Sequence, residues 1–416
     1  MNRRATLLVV VAMVLGVAVG FLLSRTLDPT QVKTVGGYFS MATDVFLRLI
    51  KMIIGPLVSS TLVVGITHME DSAAVGRVGV KTIGWFILAS LVSLTIGLIM
   101  VHLFQPGVGL GLPLPPENAA TGVEATAFTL KDFITHLVPT SIFDAMARNE
   151  ILQIVVFSVF VGTAIAALDN RAPQLVQLAE LIAQVMLKIT GYVMALAPLA
   201  IFAALANTVA THGMAILLTY VKFVGGFYLS LALLWGLLLL VAFLIVGRRV
   251  GNLVAQIRAP IMLAFSTASS EAAYPRTLEG LQRFGVSRKI VSFVLPLGYS
   301  FNLDGSMMYC TFATLFIAQA YGIQMTIAQQ VVMLLLLMVT SKGMAGVPRA
   351  STVVIYATLA FFSLPLQGIL LIVAVDYFLD MGRSATNVVG NSVASVLVGK
   401  WEGQLGEQST LPEAAE

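Results

Sequence analysis

Six residues in one apolar run near the end of the 416-residue chain carry most of its usable chemistry: Asp376, Asp380, Arg383, Ser384, Asn387 and Asn391. On a helix, at 100° per residue, their offsets of 0, 4, 7, 8, 11 and 15 fall within an arc of roughly 100°. Two acids, a guanidinium, a hydroxyl and two amides turned to one side can hold a small charged molecule. Charge inside an apolar span is expensive and marks function. The plainer alternative, in which Asp380 and Arg383 neutralise each other at an i, i+3 spacing, leaves the amides and the hydroxyl unexplained.

A second group lies in Asn302-Leu303-Asp304-Gly305-Ser306. Gly305 and the short polar residues lower helix propensity and free carbonyl oxygens. An unwound segment beside a carboxylate is the oxygen-rich surrounding that a hard cation requires. A simple kink, with Asp304 paired to a base elsewhere, is the alternative. Other chemistry is poorly supplied. Cys310 is the only cysteine, which excludes an intramolecular disulfide and a thiolate metal site. His68, His102, His136 and His212 are far apart. No His/Cys/Asp/Glu constellation supplies a catalytic pair, so an enzyme is not expected.

The elements that must position these residues are read from composition. With 58% hydrophobic and 11% charged residues and a mean hydropathy of +0.93, the chain lies far from the soluble average of about 25% charged. It reads as an all-α integral membrane protein. The net charge of +4 is scattered, without the basic footprint of a nucleic-acid binder. Apolar runs near 5–25, 37–68, 78–105, 138–168, 172–211, 215–247, 287–320 and 366–400 give eight candidate spans, at about 20 residues per crossing. The first follows Arg3 and Arg4 and ends in Ser24-Arg25, so it reads as a retained span and not a cleaved signal.

Two further stretches, 252–285 and 325–365, are interrupted by Ser266 to Pro275 and by Ser341 to Ser351. Arms of about 12–18 residues are short for a span, which favours two re-entrant hairpins over helices joined by aqueous loops. A helix broken at membrane depth must line a cavity or face protein, and paired breaks of this kind point to a midplane binding site. Arg3, Arg4, Arg77, Lys81, Arg248, Arg249, Arg288 and Lys289 cluster at alternate span ends, whereas 106–130 carries Glu117 and Glu124 but no Lys or Arg. The positive-inside rule then makes the N-terminus cytoplasmic and 106–130 external, the C-terminus is expected to be cytoplasmic too, and the polar tail 401–416 is expected to be disordered.

Taken in order, these motifs resemble the glutamate/aspartate (dicarboxylate/amino acid:cation) symporter family over nearly the whole chain. Phe46 to Pro56 resembles its second helix, and Phe104-Gln105-Pro106-Gly107 the end of its third. Thr267-Ala268-Ser269-Ser270 looks like the first hairpin tip, Gly346-Val347-Pro348 like the second, and Asn302-Leu303-Asp304-Gly305 like an N-M-D-G motif. Asp376 to Asn391 follows D-x-x-x-D-M-x-R-[ST]-x-x-N. The resemblance implies a homotrimer in a bacterial inner membrane, with eight transmembrane helices plus two hairpins moving as an elevator. Its scaffold would comprise 1–77 and 111–211, its transport domain 78–110 and 212–400, and its cytoplasmic tail 401–416.

The resemblance also assigns roles. Arg383 would hold the substrate's side-chain carboxylate and Asp380 its ammonium. Asn387, Ser306, Ser270 and backbone around Val347 and Ser351 would hold the α-carboxylate, with Ser269 and Ser384 completing the set. Having both Asp380 and Arg383 points to glutamate or aspartate. Ser269-Ser270-Glu271 and Asn302 to Ser306 look more like the C4-dicarboxylate branch, which is the alternative. Sodium would use Asn302, Asp304, Asn391 and Ser90. However, Asn391 stands where sodium-coupled relatives have an aspartate, and Phe86 and Ala89 stand where they have hydroxyls. Proton coupling, or fewer sodium ions, is therefore expected, with Glu271 as proton carrier because a carboxyl removed from water favours its neutral form. A salt bridge from Glu271 to Arg276 or Arg349 is the alternative. Arg349 itself either replaces a base that relatives carry at the position of Ala268, or lies at the aqueous rim.

Overall fold

The computed structural model describes residues 3–67, 72–109, 135, 138–168, 172–212, 220–340, 350–373 and 375–406. Regular structure in them is helical, apart from one isolated bridge between Val286 and Leu405. The helices are α1 (Arg3–Thr26), α2 (Pro29–Thr67), α3 (Ser72–Phe104), α4 (Ile142–Arg148), α5 (Ile151–Ala167), α6 (Pro173–Met194), α7 (Ala197–His212) and α8 (Val221–Val246). They are followed by α9 (Val250–Thr267), α10 (Tyr274–Phe284), α11 (Arg288–Phe301), α12 (Asp304–Ala320), α13 (Ile327–Thr340), α14 (Ala350–Phe361), α15 (Ile369–Val373) and α16 (Asp376–Trp401).

Packing sorts them into two groups. In the first, α1 lies along α7, and α2 runs against α5, α6 and α7. In the second, α16 is surrounded by α8, α9, α11 and α12, while α3 lies along α12. The groups meet mainly where α11 packs on α2 and α5. An aromatic seam ties α8 to α12: Phe223 stacks on Phe316 with ring centroids 4.0 Å apart, and Phe227 meets Tyr309 and Phe312 edge-on. Such pairs contribute about 0.5–1.5 kcal/mol each beyond burial.

The exterior is apolar. Leu229, Leu233, Leu237, Leu240 and Leu244 on α8 are exposed at helical spacing, as are Leu175, Leu178, Leu181 and Val185 on α6. Among the described residues, four helical stretches are long and apolar enough to cross a membrane: Thr30–Thr67, Val75–Phe104, Pro173–Val193 and Val221–Thr267. A polar ridge buried inside an apolar coat inverts the soluble pattern.

Several expectations change in detail. The run 172–211 is two helices, α6 and α7, separated at Ala195 and Leu196. Pro198 lacks an N–H and its ring would meet the carbonyl four residues back, which ends a continuous helix there. The run 287–320 divides at Asn302 and Leu303, whose ψ values of 62° and 63° are not helical, as the composition of that segment anticipates. The first hairpin is α9 and α10 joined through Ala268 in the left-handed region (φ 49°) and a single 3-10 turn, Glu271–Ala273. In the second, the arms α13 and α14 pack together, while its tip, with Val347 and Arg349, falls outside the described residues.

The start of the tail is docked, which corrects the expectation of disorder for residues 401–406. Glu402 accepts hydrogen bonds from Lys81 Nζ (2.6 Å) and Arg77 Nε (3.1 Å) on α3. Ser287 N donates to the Gln404 carbonyl (3.0 Å), and Gly406 N to that of Gly285 (2.9 Å). Arg249 donates to the carbonyls of Phe284 and Gly406, both at 3.0 Å. Burial alone would raise the Glu402 carboxyl, but the hydrogen bonds from Lys81 and Arg77 outweigh it and hold it below the usual carboxylate value.

Candidate functional site

Helix α16 is buried almost all round, from Met381 to Gly399, so the sequence's one-sided polar stripe is the lining of a central helix. Arg383 is 2% exposed. Its Nη2 lies 2.9 Å from Asp380 Oδ1 and 3.3 Å from Asp376 Oδ1, so the i, i+3 neutralisation does form. Yet it leaves the guanidinium incomplete, because Nε and Nη1 are buried without a hydrogen-bond partner among the described residues. The guanidinium sits over the Tyr309 ring, with Cζ 4.1 Å from the centroid, and the Tyr309 hydroxyl donates to Asp376 Oδ1 at 2.9 Å. Asp376 is thus held on two sides, while the Asp380 side chain is 33% exposed.

One turn on, Asn387 bridges to the start of α12. Its Oδ1 accepts from Gly305 N (2.9 Å), and its Nδ2 donates to Ser306 Oγ (3.3 Å). Asn302 Nδ2 then donates to Asp304 Oδ2 (3.0 Å) and Asn391 Oδ1 (3.2 Å), and Ser93 Oγ donates to Asp304 Oδ1 (3.3 Å). Asn302, Asp304 and Asn391 are fully buried. Asn302 Oδ1 and Asn391 Nδ2 have no partner among the described residues. This closeness depends on two glycines: a Cβ on Gly298 would collide with Asn391 Oδ1, and one on Gly390 with Asp304 Oδ2.

These two clusters unite Arg383, Asp380, Asn387, Ser306, Asn302, Asp304 and Asn391. Ser384 is buried on the same helix. Ser351 meets the cluster's edge, where its carbonyl accepts from Cys310 Sγ at 3.9 Å. Ser90 is buried on α3 near Ser93, with Phe86 and Ala89. The first hairpin approaches through Ala264 and Ala273, which pack on Val388. Ser269 and Ser270 make no hydrogen bond to Arg383; Ser269 Oγ instead accepts from Ala272 N (3.3 Å). Glu271 is partly buried, and Arg276 bonds Glu279 (3.1 Å). Tyr309 and Ser93 are missed by the sequence reading. The spacing of Ser90 and Ser93, three residues apart on one helix face, is a weak signal for the latter. Among the described residues no group of three or more His, Cys, Asp or Glu could hold a metal.

A buried mixed-charge cluster whose donors are not all satisfied among the described residues, inside a helical body with an apolar coat, is an arrangement suited to a membrane carrier of small charged molecules. A family model described as the sodium:dicarboxylate symporter family matches residues 5–401, and the chain belongs to that family. It is 38% identical to a proton/sodium-glutamate symport protein of Geobacillus stearothermophilus, over 90% of each chain. To a proton/glutamate-aspartate symporter of Escherichia coli K12 it is 39% identical, over 96% of this chain and 93% of that one. To a C4-dicarboxylate transport protein of Laribacter hongkongensis it is 37% identical, over 97% and 91%. Family membership makes it a cation-coupled carrier of small molecules.

Proposed function

We propose that the chain imports glutamate or aspartate across a bacterial inner membrane, together with protons, sodium or both. The observation that carries this reading is the pairing of Arg383 with Asp380. The guanidinium is buried, with Nε and Nη1 unpartnered among the described residues, and the side chain of the acid beside it is 33% exposed. A side-chain carboxylate would complete the first by charge-assisted hydrogen bonds, and an ammonium would neutralise the second. Ser306, Asn387, Ser384, Ser269, Ser270, Ser351 and backbone at Val347 would close around the α-carboxylate. The relatives named for glutamate support the same cargo.

One observation favours a C4-dicarboxylate. Asp380 lies 2.9 Å from Arg383, a pairing that a cargo without an amino group need not disturb, and one relative is named for that cargo. Asp380→Ala separates the two in proteoliposome counterflow with labelled glutamate. An ammonium partner predicts at least about a 100-fold loss of glutamate affinity. Unchanged glutamate affinity, with succinate competing well, would overturn the amino-acid reading.

For the coupling ion, Glu271 is the proposed proton carrier. Asn302 Oδ1, Asp304 and Asn391 form a residual oxygen site for sodium, with Ser90 alongside. An inward proton gradient without sodium is expected to drive uptake, and Glu271→Gln to abolish that drive. No uptake without sodium would remove the proton reading. The two packing groups support a scaffold of 1–77 and 111–211 and a transport domain of 78–110 and 212–400. These would move as an elevator within a lipid-embedded homotrimer of eight-span protomers, each with two re-entrant hairpins and cytoplasmic termini.

A further inference from the structure

A cavity on the first hairpin shares no residue with the Arg383 cluster. It lies between α9 and α10, is a small hollow of about 50 Å³ open to the outside, and is lined by Arg258, Arg276, Arg283, Glu279, Gln256 and Gly280 among others. Gly280 lets the arms close behind it, since a Cβ there would stand 2.8 Å from the Gln256 carbonyl oxygen. Three arginines thus line the cavity with one carboxylate, and two of them reach it. Glu279 Oε2 takes Arg276 Nη1 at 3.1 Å and Arg283 Nη2 at 3.7 Å. Arg258 forms no ion pair with any described residue. Two positive charges are left in excess, on side chains of which Arg276 and Arg283 are less than a third exposed.

The place of the hollow along the hairpin sets the side from which a ligand would enter. Arg258 is eight residues into α9 from Val250, and Arg276 is eight residues before the end of α10 at Phe284. At 1.5 Å per residue both stand about 12 Å inward from the same end of the hairpin. That end carries Arg248, Arg249, Arg288 and Lys289, the cytoplasmic signature. Planar guanidinium forks bind phosphate oxygens bidentately, and the two excess positive charges suit the higher charge of a phosphate. We propose that this cavity is a cytoplasm-facing site for a phosphate group, with Arg258, Arg276 and Arg283 as its donors and Glu279 orienting the latter two. The chemistry is common to an anionic phospholipid headgroup and to a soluble phosphate. The site stands independently of the substrate reading.

The test uses the full-length protein in two arms. In detergent without lipid, inorganic phosphate is titrated against chloride of matched ionic strength while the thermal midpoint is followed. In vesicles, phosphatidylcholine alone is compared with mixtures containing phosphatidylglycerol. Saturation is expected to raise the wild-type midpoint by about 3 °C or more, with the half-saturating concentration increased about tenfold in Arg258→Gln. Arg258→Lys, which keeps the charge but not the fork, is expected to fall between them. A response in the phosphatidylglycerol arm alone assigns the ligand to the membrane. A response in the inorganic phosphate arm assigns it to the cytosol. Equal responses of wild type and Arg258→Gln in both arms would overturn the site.

Discussion

Arg383 combines burial, an aromatic support and two acidic neighbours, and each has a separate consequence. Tyr309 beneath the guanidinium fixes its plane, and Asp376, held by the Tyr309 hydroxyl, anchors one nitrogen. What is left over, Nε and Nη1, has a direction as well as a charge. Arg383→Lys keeps the charge and gives up the planar donors. On the proposed reading, apparent substrate affinity therefore falls by about 100-fold, while the thermal midpoint, which depends on the retained pair with Asp376, shifts only slightly. Equal affinity for the two proteins in an uptake assay would remove Arg383 from the site. At this scale the sequence is informative where charge in an apolar run is itself the anomaly, as for Asp376, Asp380, Arg383 and Asp304. It is silent on Tyr309 and gives only a weak signal for Ser93. A tyrosine or serine in a span is chemically ordinary, and only the packing of α12 on α16 and of α3 on α12 gives each its partner.

At the scale of elements, the breaks are more legible than the lengths. Asn302 and Leu303 unwind where the composition weakens the helix, and Ala268 ends α9 within the polar interruption. The α6–α7 break is less visible, because apolar residues continue through it and only Pro198 marks it. The docked tail is hidden for a different reason: residues 401–406 look like any polar terminus, and their order comes from distant partners. Glu402 joins the end of α16 to α3 through Arg77 and Lys81, while Leu405 bridges to Val286 beside α11. Since hydrogen bonds to these bases hold the Glu402 carboxyl below its ordinary value, its contribution is fully present above the ordinary carboxylate range. That contribution fades as pH falls through the lowered value. Glu402→Gln should cost about 1 kcal/mol at neutral pH and flatten the acid limb of the thermal midpoint plotted against pH. A variant curve that parallels the wild type down to the lowest pH would show that the clasp contributes nothing.

For the molecule as a whole, the question is whether the two packing groups move past each other. Their contact centres on α11 against α2 and α5, and one point of it is well suited to a test. A Cβ placed on Gly65 of α2 would lie 3.5 Å from the Ser292 Cβ of α11, within the range a disulfide spans, about 3.5–4.5 Å. The native thiol, Cys310, is buried and need not be removed. If transport requires α11 to travel along α2, then oxidising Gly65→Cys/Ser292→Cys should stop uptake, and reduction should restore it. Binding of substrate to the cross-linked protein need not be lost, because the Arg383 cluster lies wholly within the second group. Uptake at the unmodified rate from fully cross-linked protein would mean that these helices stay together through the cycle. The carrier would then have to work by local gating at its hairpins, with no sliding of one group past the other.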